Sequence, residues 1–482
     1  MKSILSSLNA RLLVFGMAIV ICLVSCDDDD PPLPDNIVNF ESQQLGIDSD
    51  KNAATIHISF SREANAETQI TLSAQLSDLT YGTDFTTDPA LNGNTLTIPV
   101  PVGATQVSFT LTKAEDVVLD GDETVKFTIT STGSGFVIGD RPEIVVSFSE
   151  IIATQATMDP NVGGAAQPNK VFVDLSANRQ TVVNRGDWDL GFYTEDGQFR
   201  VIINSSSSML ARVLDASDLN DVTAADTTGW GAQLSTDAIF GAITQDPVPA
   251  WASEAIQWID APTGDMSSTA IAEISATASE NKVYIVNRGK NPDGTERGWK
   301  KNRVLRNGEN YTLQHADIGA TTFSTVEITR DDNYLFNYVN FETGVVNIEP
   351  EKDEWDIAFT VFTNSTPIGP GASVPYVFND VVIQNRYETE TAEVMVANVG
   401  SYEEFTAEDL ASVTYSTSQI NIGSKWRSGG GPGSGPALRE DRFYIVKDSD
   451  GNIYKLKFTA LTQGGERGRP QIQFELLQAD VD

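Results

Sequence analysis

One short phrase occurs twice in this 482-residue chain and limits the folds that are open to it. "RGDWDLGFY" covers residues 185–193, and "KDEWDIAFT" covers residues 352–360. Each copy follows a hairpin pattern that ends in "VVN", at residues 169–184 and 333–347, and precedes a strand pattern that contains "YIV". Elements that recur in one order at similar spacing indicate a duplicated module.

We therefore predict two homologous domains, residues 169–330 and 331–482. The pattern "TFSTVEI" at residues 322–328 is predicted to close the first domain as its final strand. "QIQFELL" at residues 471–477 is predicted to do the same for the second domain.

The chain reads as β structure almost throughout. Segments such as "ATIHISFSR" and "TQVSFTLTK" alternate apolar and polar residues, which is typical of half-buried strands. Short strands at regular spacing predict a sandwich over residues 37–152. Gly, Ala and Pro residues predict a linker over residues 153–168. The predicted fold class is all-β, with an N-terminal immunoglobulin-like sandwich, acting as a spacer, followed by two antiparallel β-domains.

The N-terminus has the pattern of a secretory signal peptide over residues 1–25, with two basic residues before an apolar run. "LVSC" resembles the lipobox of bacterial lipoproteins, which implies lipidation of Cys26. The alternative is a short transmembrane anchor, although a span needs ~20 apolar residues. The acidic tether over residues 26–36 resembles the surface-export signal of Bacteroidetes lipoproteins, or it is a solubilising linker. We expect a protein bound by its lipid to the outer membrane, on the cell surface.

Charge and cysteine content exclude some classes of protein. The formal net charge is −35, so the surface repels phosphate backbones and no nucleic-acid partner is expected. Cleavage after residue 25 leaves Cys26 as the single cysteine of the mature chain, so stability must come from apolar cores and not from disulfides.

Two acidic segments resemble the Calx-β family, an immunoglobulin-like sandwich. They are "TYGTDFTTDP" at residues 80–89 and "EDVVLDGDETVKFTIT" at residues 115–130. The resemblance implies calcium as a cofactor, since calcium prefers carboxylate and carbonyl oxygens. The candidate calcium ligands that it implies are Asp84, Glu115, Asp116 and Asp120. The alternative is an acidic turn without metal.

The second domain resembles the HmuY family of Bacteroidetes lipoproteins. The residues that carry the resemblance are "YVNFETGVVN", "WDIAF", "KWRS", "FYIVKDSDGNIYKLKFTAL" and the final "QIQFELL". The first domain is a divergent copy. The resemblance implies haem binding for uptake and delivery to an outer-membrane transporter. The alternative function is that of an adhesion or interaction protein without haem affinity.

The signature residues are expected to be structural. Trp188 and Trp355 are predicted to fill the core, because a tryptophan buries a large apolar area. Asp189 and Asp356 alternate to the opposite face, where each is predicted to cap a neighbouring turn. Two loops rich in glycine and proline, residues 363–375 and 427–441, are predicted to be irregular; they are either binding elements or slack connections.

Haem iron is held by His, Met, Cys or Tyr. The two histidines, His57 and His315, fall in different domains, so neither domain has a bis-His site. Met395 in the second domain and Met209 in the first are the haem-ligand candidates, with packing in the core as the alternative. No Ser-His-Asp or Cys-His set can form within one domain, so we predict a binding protein and not an enzyme.

Overall fold

A computed structural model describes residues 35–47, 52–114, 123–148, 153–429, 435–463 and 465–479. Within these residues the fold is almost entirely β, which confirms the predicted fold class. The helices are short: α1 (Thr236–Ile243), α2 (Ala250–Glu254) and α3 (Val396–Val399). No helix of this part of the chain combines the length and apolarity needed to cross a membrane. The predicted signal peptide, Cys26 and the tether up to residue 34 lie outside the described residues.

Ten strands form the N-terminal sandwich. Their bounds are β1 (Asn36–Phe40), β2 (Gln44–Gly46), β3 (Ala53–Phe60), β4 (Thr68–Ser77), β5 (Phe85–Asp88), β6 (Thr95–Val100), β7 (Gln106–Lys113), β8 (Thr124–Ser131), β9 (Phe136–Ile138) and β10 (Glu143–Ser147). One sheet has the order β5-β7-β3-β1-β9, and the other has the order β2-β10-β8-β4-β6. Phe109 of the first sheet packs edge-to-face on Phe127 of the second, with ring centroids 4.8 Å apart. The predicted sandwich is confirmed.

Twenty strands follow. The first ten are β11 (Gln155–Met158), β12 (Asn169–Asp174), β13 (Arg179–Asn184), β14 (Leu190–Tyr193), β15 (Val201–Ile203), β16 (Leu210–Val213), β17 (Tyr284–Asn287), β18 (Trp299–Asn307), β19 (Asn310–Asp317) and β20 (Ser324–Ile328). The remaining ten are β21 (Phe336–Asn340), β22 (Gly344–Val346), β23 (Ile357–Gly369), β24 (Ala372–Gln384), β25 (Glu390–Met395), β26 (Arg427–Ser428), β27 (Ala437–Leu438), β28 (Arg442–Lys447), β29 (Ile453–Gln463) and β30 (Glu466–Gln478).

Eighteen of these strands make four stacked sheets, and β26 pairs only with β27. In stacking order the sheets are outer sheet A (β16-β17-β18-β19-β20), inner sheet A (β15-β14-β21-β22), inner sheet B (β13-β12-β23-β24) and outer sheet B (β11-β30-β29-β28-β25). Three apolar cores separate the four layers. We call the first two sheets body A and the last two sheets body B.

Strand alternation explains why both faces of an inner sheet are buried. In β14, Leu190 and Phe192 point into the core of body A, while Gly191 lies against Ile202 and Tyr338 on the seam between the bodies. A strand that is covered on both sides reads as a nearly continuous apolar run, as this one does.

The two hairpins that end in "VVN" are exchanged between the copies. Hairpin β12–β13 of the first copy pairs with β23, the strand that follows the second tryptophan. Hairpin β21–β22 of the second copy pairs with β14, the strand that follows the first tryptophan. The registers match, since Val173 lies opposite Ile357 and Val339 lies opposite Leu190 at equivalent positions.

Chain geometry explains the exchange. If β12 paired with β14 of its own copy in the antiparallel sense, β13 and β14 would run parallel on either side of β12. A connection between two parallel strands of a sheet needs a crossover of about a dozen residues or more. Only residues 185–189 join β13 to β14, and five residues span at most about 18 Å. The hairpin therefore pairs with the other copy. Body A is built from residues 190–346, and body B from residues 155–184 and 357–478, so the linear boundaries 169–330 and 331–482 do not match the bodies.

The first strand of each copy is exchanged as well. The predicted linker contains β11, which pairs with β30 at the edge of outer sheet B. Strand β20 occupies the same place beside β19 in outer sheet A. The prediction that "TFSTVEI" and "QIQFELL" are equivalent is therefore wrong. "TFSTVEI" corresponds to β11 and starts the second copy, while "QIQFELL" lies in β30, which corresponds to β19.

The N-terminal sandwich packs directly on body B, so it is not a separate spacer. Ser42 Oγ donates a hydrogen bond to the Asn178 carbonyl at 2.8 Å, and Asn178 Nδ2 donates to the Gln44 carbonyl at 3.2 Å. Arg141 of the sandwich forms a buried ion pair with Asp159. Polar groups buried with their partners hold the two parts in one arrangement.

The loop predicted at residues 363–375 is regular structure. It forms the end of the long β23–β24 hairpin, where Val374 is fully buried and packs with the residues around α1 and α2 of body A. The other predicted loop, residues 427–441, contains the short paired strands β26 and β27. Its residues 430–434 lie outside the described residues.

Candidate functional site

Both signature tryptophans lie in the seam between the two inner sheets. Trp188 packs edge-to-face on Tyr338 at 4.8 Å, and Trp355 packs in the same way on Phe172 at 4.9 Å. Tyr338 and Phe172 are equivalent residues of the exchanged hairpins. The predicted core role of the tryptophans is confirmed.

Asp189 and Asp356 cap the exchanged hairpins. The Asp189 N–H donates to the Val339 carbonyl, and its Oδ2 accepts from the Phe341 N–H, each at 2.8 Å. Asp356 makes the equivalent contacts with Val173 and Leu175, also at 2.8 Å. The prediction that each aspartate caps a neighbouring turn is confirmed, and the turn belongs to the other copy.

Asn204 and Asn385 are a matched pair that the sequence analysis missed. Asn204 Nδ2 donates to the Trp188 carbonyl at 2.8 Å, and Asn385 Nδ2 donates to the Trp355 carbonyl at 2.7 Å. Each asparagine fixes the backbone that carries its tryptophan. The repeated pattern of apolar strand followed by asparagine at residues 201–204 and 381–385 is the signal that could have identified them.

The copies differ in the charge that faces the capping aspartate. Arg288 donates from Nε and Nη2 to the two oxygens of Asp189, both at 2.9 Å, and Arg297 also contacts this carboxylate. Asp448 occupies the position of Arg288 in the second copy, one residue beyond the "YIV" strand. Burial, with the neighbouring carboxylates of Asp174 and Asp448, raises the pKa of Asp356 well above its usual range.

A surface cleft of about 390 Å³ lies along β21 and β22 in inner sheet A. Its lining is mixed: Phe336, Val345, Val346 and Ile348 are apolar, and most of the other lining residues are polar or charged. The residues that matter here are Arg330, Tyr334, Phe336, Tyr338 and Glu349.

Glu349 forms the polar part of this cleft. Its two carboxylate oxygens accept hydrogen bonds from the Phe336 N–H and from the Tyr338 hydroxyl, each at 2.8 Å. Burial raises the pKa of Glu349, while Lys170 opposes the shift. Burial also lowers the pKa of Lys170, to about 8. The cleft lining therefore contains a buried carboxyl group, Glu349, on which Lys170 acts from outside the lining.

The two methionine candidates for haem ligation lie in different bodies. Met209 is fully buried in the core of body A, so its thioether cannot reach a ligand at the surface. The cause is that residues 205–207 form a short 3₁₀ turn, after which Met209 enters the sheet core directly. Met395 is partly buried at the end of β25 in outer sheet B. Neither methionine lines the 390 Å³ cleft.

The histidines are also separate. His57 lies on the outer face of the sandwich in β3, and His315 lies in β19, buried against Phe341 at 5.1 Å between ring centroids. His57 therefore lies in the sandwich and His315 in body A. Tyrosine is a type of side chain that holds haem iron, and two tyrosines line the cleft. They are Tyr334 and Tyr338, and the hydroxyl of Tyr338 donates a hydrogen bond to Glu349.

Of the calcium candidates, only Asp84 falls in the described residues. Its carboxylate accepts a hydrogen bond from the Thr80 N–H at 2.6 Å and closes a turn. Glu115, Asp116 and Asp120 lie outside the described residues. In the part of the chain that the structure describes, no three His, Cys, Asp or Glu side chains are arranged to hold a metal ion.

Comparisons with known proteins agree with the repeat. The family model described as HmuY protein matches residues 166–336 and again residues 333–474, more than half of the chain. The matched ranges lie close to the predicted boundaries 169–330 and 331–482 and do not match the bodies. No curated protein is significantly similar to the chain.

Solved structures resemble parts of the chain at low sequence identity. The apo form of the Calx CBD1 domain is 15% identical, with 24% of this chain and 96% of that chain covered at a TM-score of 0.21. A two-domain protein of unknown function from Bacteroides fragilis is 11% identical, with 38% and 76% covered at a TM-score of 0.19.

Proposed function

Because the chain belongs to the HmuY family, we propose that it is a ligand-binding lipoprotein that does not transform what it binds. In this proposal, lipid on Cys26 holds the protein at the outer membrane, exposed on the cell surface. The ligand is haem, to be delivered to an outer-membrane transporter. Calcium in the sandwich stays a secondary proposal, based on Asp84 and on three acidic residues outside the described part of the chain.

The cleft beside Glu349 is the observation that carries this proposal. It is the larger of the two clefts described here, and its volume of about 390 Å³ is in the range of ligand sites, ~300–1,000 Å³. Val345, which is 54% exposed, supplies an apolar surface for a porphyrin face, above the buried Phe336 and Ile348. Tyr334 supplies the type of ligand that haem iron accepts.

Haemin titration of the mature protein tests the proposal. We expect a saturable shift of the Soret band that Tyr334→Phe abolishes and that Met395→Ala leaves unchanged. A shift that is lost in Met395→Ala and kept in Tyr334→Phe would return the site to the methionine predicted from sequence. No saturable shift in the unaltered protein would contradict haem binding.

A second function is favoured by one surface feature. Phe240 of α1 is 53% exposed, and its ring lies 6.1 Å from that of Tyr376 in β24, which is 36% exposed. Aromatic side chains are enriched in protein interfaces, so this exposed pair is a suitable anchor for a partner protein. For an adhesion protein without haem affinity, Phe240→Ser with Tyr376→Ser would abolish surface attachment, while haemin would give no saturable shift in any variant.

A further inference from the structure

A second cleft lies where the N-terminal sandwich meets body B. It has a volume of about 330 Å³, between strands β2, β3 and β7 of the sandwich and strand β13 of body B. Ala54 and Val182, both partly exposed, give it an apolar side above the buried Leu45 and Ile47, and Gln106 and Thr181 give it polar groups. Junctions between domains are frequent places for small-molecule sites.

A small chamber of about 20 Å³ adjoins this cleft. The two cavities share the lining residues Leu45, Thr55, His57, Arg179 and Gln180. Glu41 lines the chamber but not the outer cleft. A volume of this size accommodates about one water-sized group. The chamber is therefore the inner end of a longer site.

Two buried polar groups face this inner end. Glu41 is 2% exposed, and its Oε2 atom has no hydrogen-bond partner among the described residues. The Nδ1 atom of His57 is likewise buried without a partner in the described part of the chain. The two residues are neighbours across β1 and β3, where the Glu41 N–H donates to the His57 carbonyl at 3.2 Å. Buried polar groups are rarely left without a partner.

The charges around the chamber come from several elements. Arg141 and Asp159 act on Glu41, and Asn161 Nδ2 lies 3.5 Å from its Oε1 atom. Arg179 at the entrance is held by Asp174 at 3.0 Å and by Glu354 at 3.7 Å. Two carboxylates therefore offset the one guanidinium at the entrance, and the strongly acidic chain attracts cations.

We propose that the chamber and its cleft bind a small primary amine. The ammonium group enters the chamber and donates to Glu41 Oε2 and His57 Nδ1, while the alkyl or aromatic body lies against Ala54 and Val182. An ammonium group suits the chamber because it is water-sized and carries only donors. Neither a carboxylate nor a hydroxyl end offers three donors in the same space.

The protonation states of Glu41 and His57 predict that amine binding releases a proton. Burial raises the pKa of Glu41 to about 8, against the opposing charge of Arg141, so the carboxyl group is mostly protonated at pH 7. Burial lowers the pKa of His57, which leaves its imidazole neutral. Binding an ammonium ion favours the carboxylate, so Glu41 releases its proton when the amine binds.

Calorimetric titration of the mature protein with phenethylamine at pH 7 tests the proposal, with 2-phenylethanol as the uncharged control. We expect saturable binding of the amine, at least tenfold weaker binding of the alcohol, and release of about one proton, read from buffers of different ionisation heat. Glu41→Gln should weaken amine binding at least tenfold. Glu67→Gln, an exposed change on the same sandwich, should not alter it.

A measurement on the unaltered protein covers the case in which Glu41→Gln does not fold. The ring ¹H–¹³C signal of His57 should shift saturably with phenethylamine and stay in place with 2-phenylethanol. Equal affinity for the two probes, or no saturable binding of the amine, would overturn the proposal and leave the chamber as a site for one ordered water. These outcomes are independent of haemin binding at the cleft beside Glu349.

Discussion

Trp188 packs edge-to-face on Tyr338, a residue that comes from the other copy of the repeat. The matched contact of Trp355 with Phe172 makes the same connection in the opposite direction. Each copy therefore completes the core beneath the signature tryptophan of the other. The two copies fold as one intertwined unit and not as two separate modules in line.

The first prediction concerns this aromatic contact. Trp188→Ala should lower the free energy of unfolding by about 3–5 kcal/mol, since it deletes a large buried side chain. A double-mutant cycle with Tyr338→Ala should show a coupling of about 0.5–1.5 kcal/mol, measured by urea unfolding. Trp188→Ala combined with Phe109→Ala, in the separate core of the N-terminal sandwich, is the matched control and should be additive.

The second prediction concerns the buried ion pair of the first copy. Arg288→Met leaves the Asp189 carboxylate buried with one of its two arginines, and should cost about 3–5 kcal/mol in urea unfolding. Lys282→Met breaks the exposed pair with Asp215 and should leave the unfolding midpoint unchanged. If the two variants lose the same amount of stability, the Asp189 pair has no special structural weight.

The third prediction concerns the opposite charge in the second copy. Burial raises the pKa of Asp448 to about 6, so the folded protein binds this proton more tightly than the unfolded chain does. The stability that the proton contributes is complete below about pH 4 and is lost as the pH rises to about 6. Asp448→Asn removes this loss and should raise the free energy of unfolding at pH 7 by about 1–3 kcal/mol, with little change at pH 4.

Unfolding curves at the two pH values check this sign. Glu408→Gln, an exposed change elsewhere in body B, is the control and should behave the same at both. Stabilisation by Asp448→Asn that is larger at pH 4 than at pH 7 would contradict the assignment of the raised pKa.

The fourth prediction concerns Glu349 in the cleft. Glu349→Gln keeps an acceptor for the Phe336 N–H. It removes the titratable carboxyl group, whose pKa is raised by burial. The neighbouring Lys170 then loses the charge that favours its protonated form, so its pKa should fall below about 8. NMR titration of the Lys170 side chain measures this shift. A pKa that stays at about 8 would show that the two groups are not coupled.

Local pattern was enough to predict several features. Alternation along β3 and β8 predicted the sandwich, and the Trp-Asp phrase predicted a buried ring followed by a capping carboxylate. These features depend on neighbours in sequence. The recurrence of "YIV" also predicted equivalent strands β17 and β28 correctly.

The exchange between copies could not be read from the same patterns. Val171 and Val173 show the same alternation whether their partner strand comes from their own copy or from the other. The decisive restraint is the short connection at residues 185–189, because five residues are too few to return the chain to the start of a parallel strand. The linker pattern also concealed β11, because its partner strand β30 lies about 300 residues away in the sequence.

The candidate site was harder to predict than the fold. Met209 follows four serines and has the sequence context of a loop, yet it is fully buried because the 3₁₀ turn ends directly before it. Tyr334 and Glu349 lie at the two ends of the β21–β22 hairpin and line one cleft because that hairpin closes. Glu41 and His57 share a chamber only because body B covers that face of the sandwich.

The most direct test of the intertwined fold combines one cross-link with one cut. Thr157 lies opposite Gln473 in the β11–β30 pair, at a separation suited to a disulfide. The test protein carries Cys26→Ser, Thr157→Cys and Gln473→Cys, together with a protease site placed between residues 318 and 323. It is first oxidised to form the disulfide between positions 157 and 473, and the chain is then cut at the protease site. The exchange predicts one band on a non-reducing denaturing gel, and two bands for the control pair Thr157→Cys with Gln478→Cys. Two bands from the first pair would contradict it.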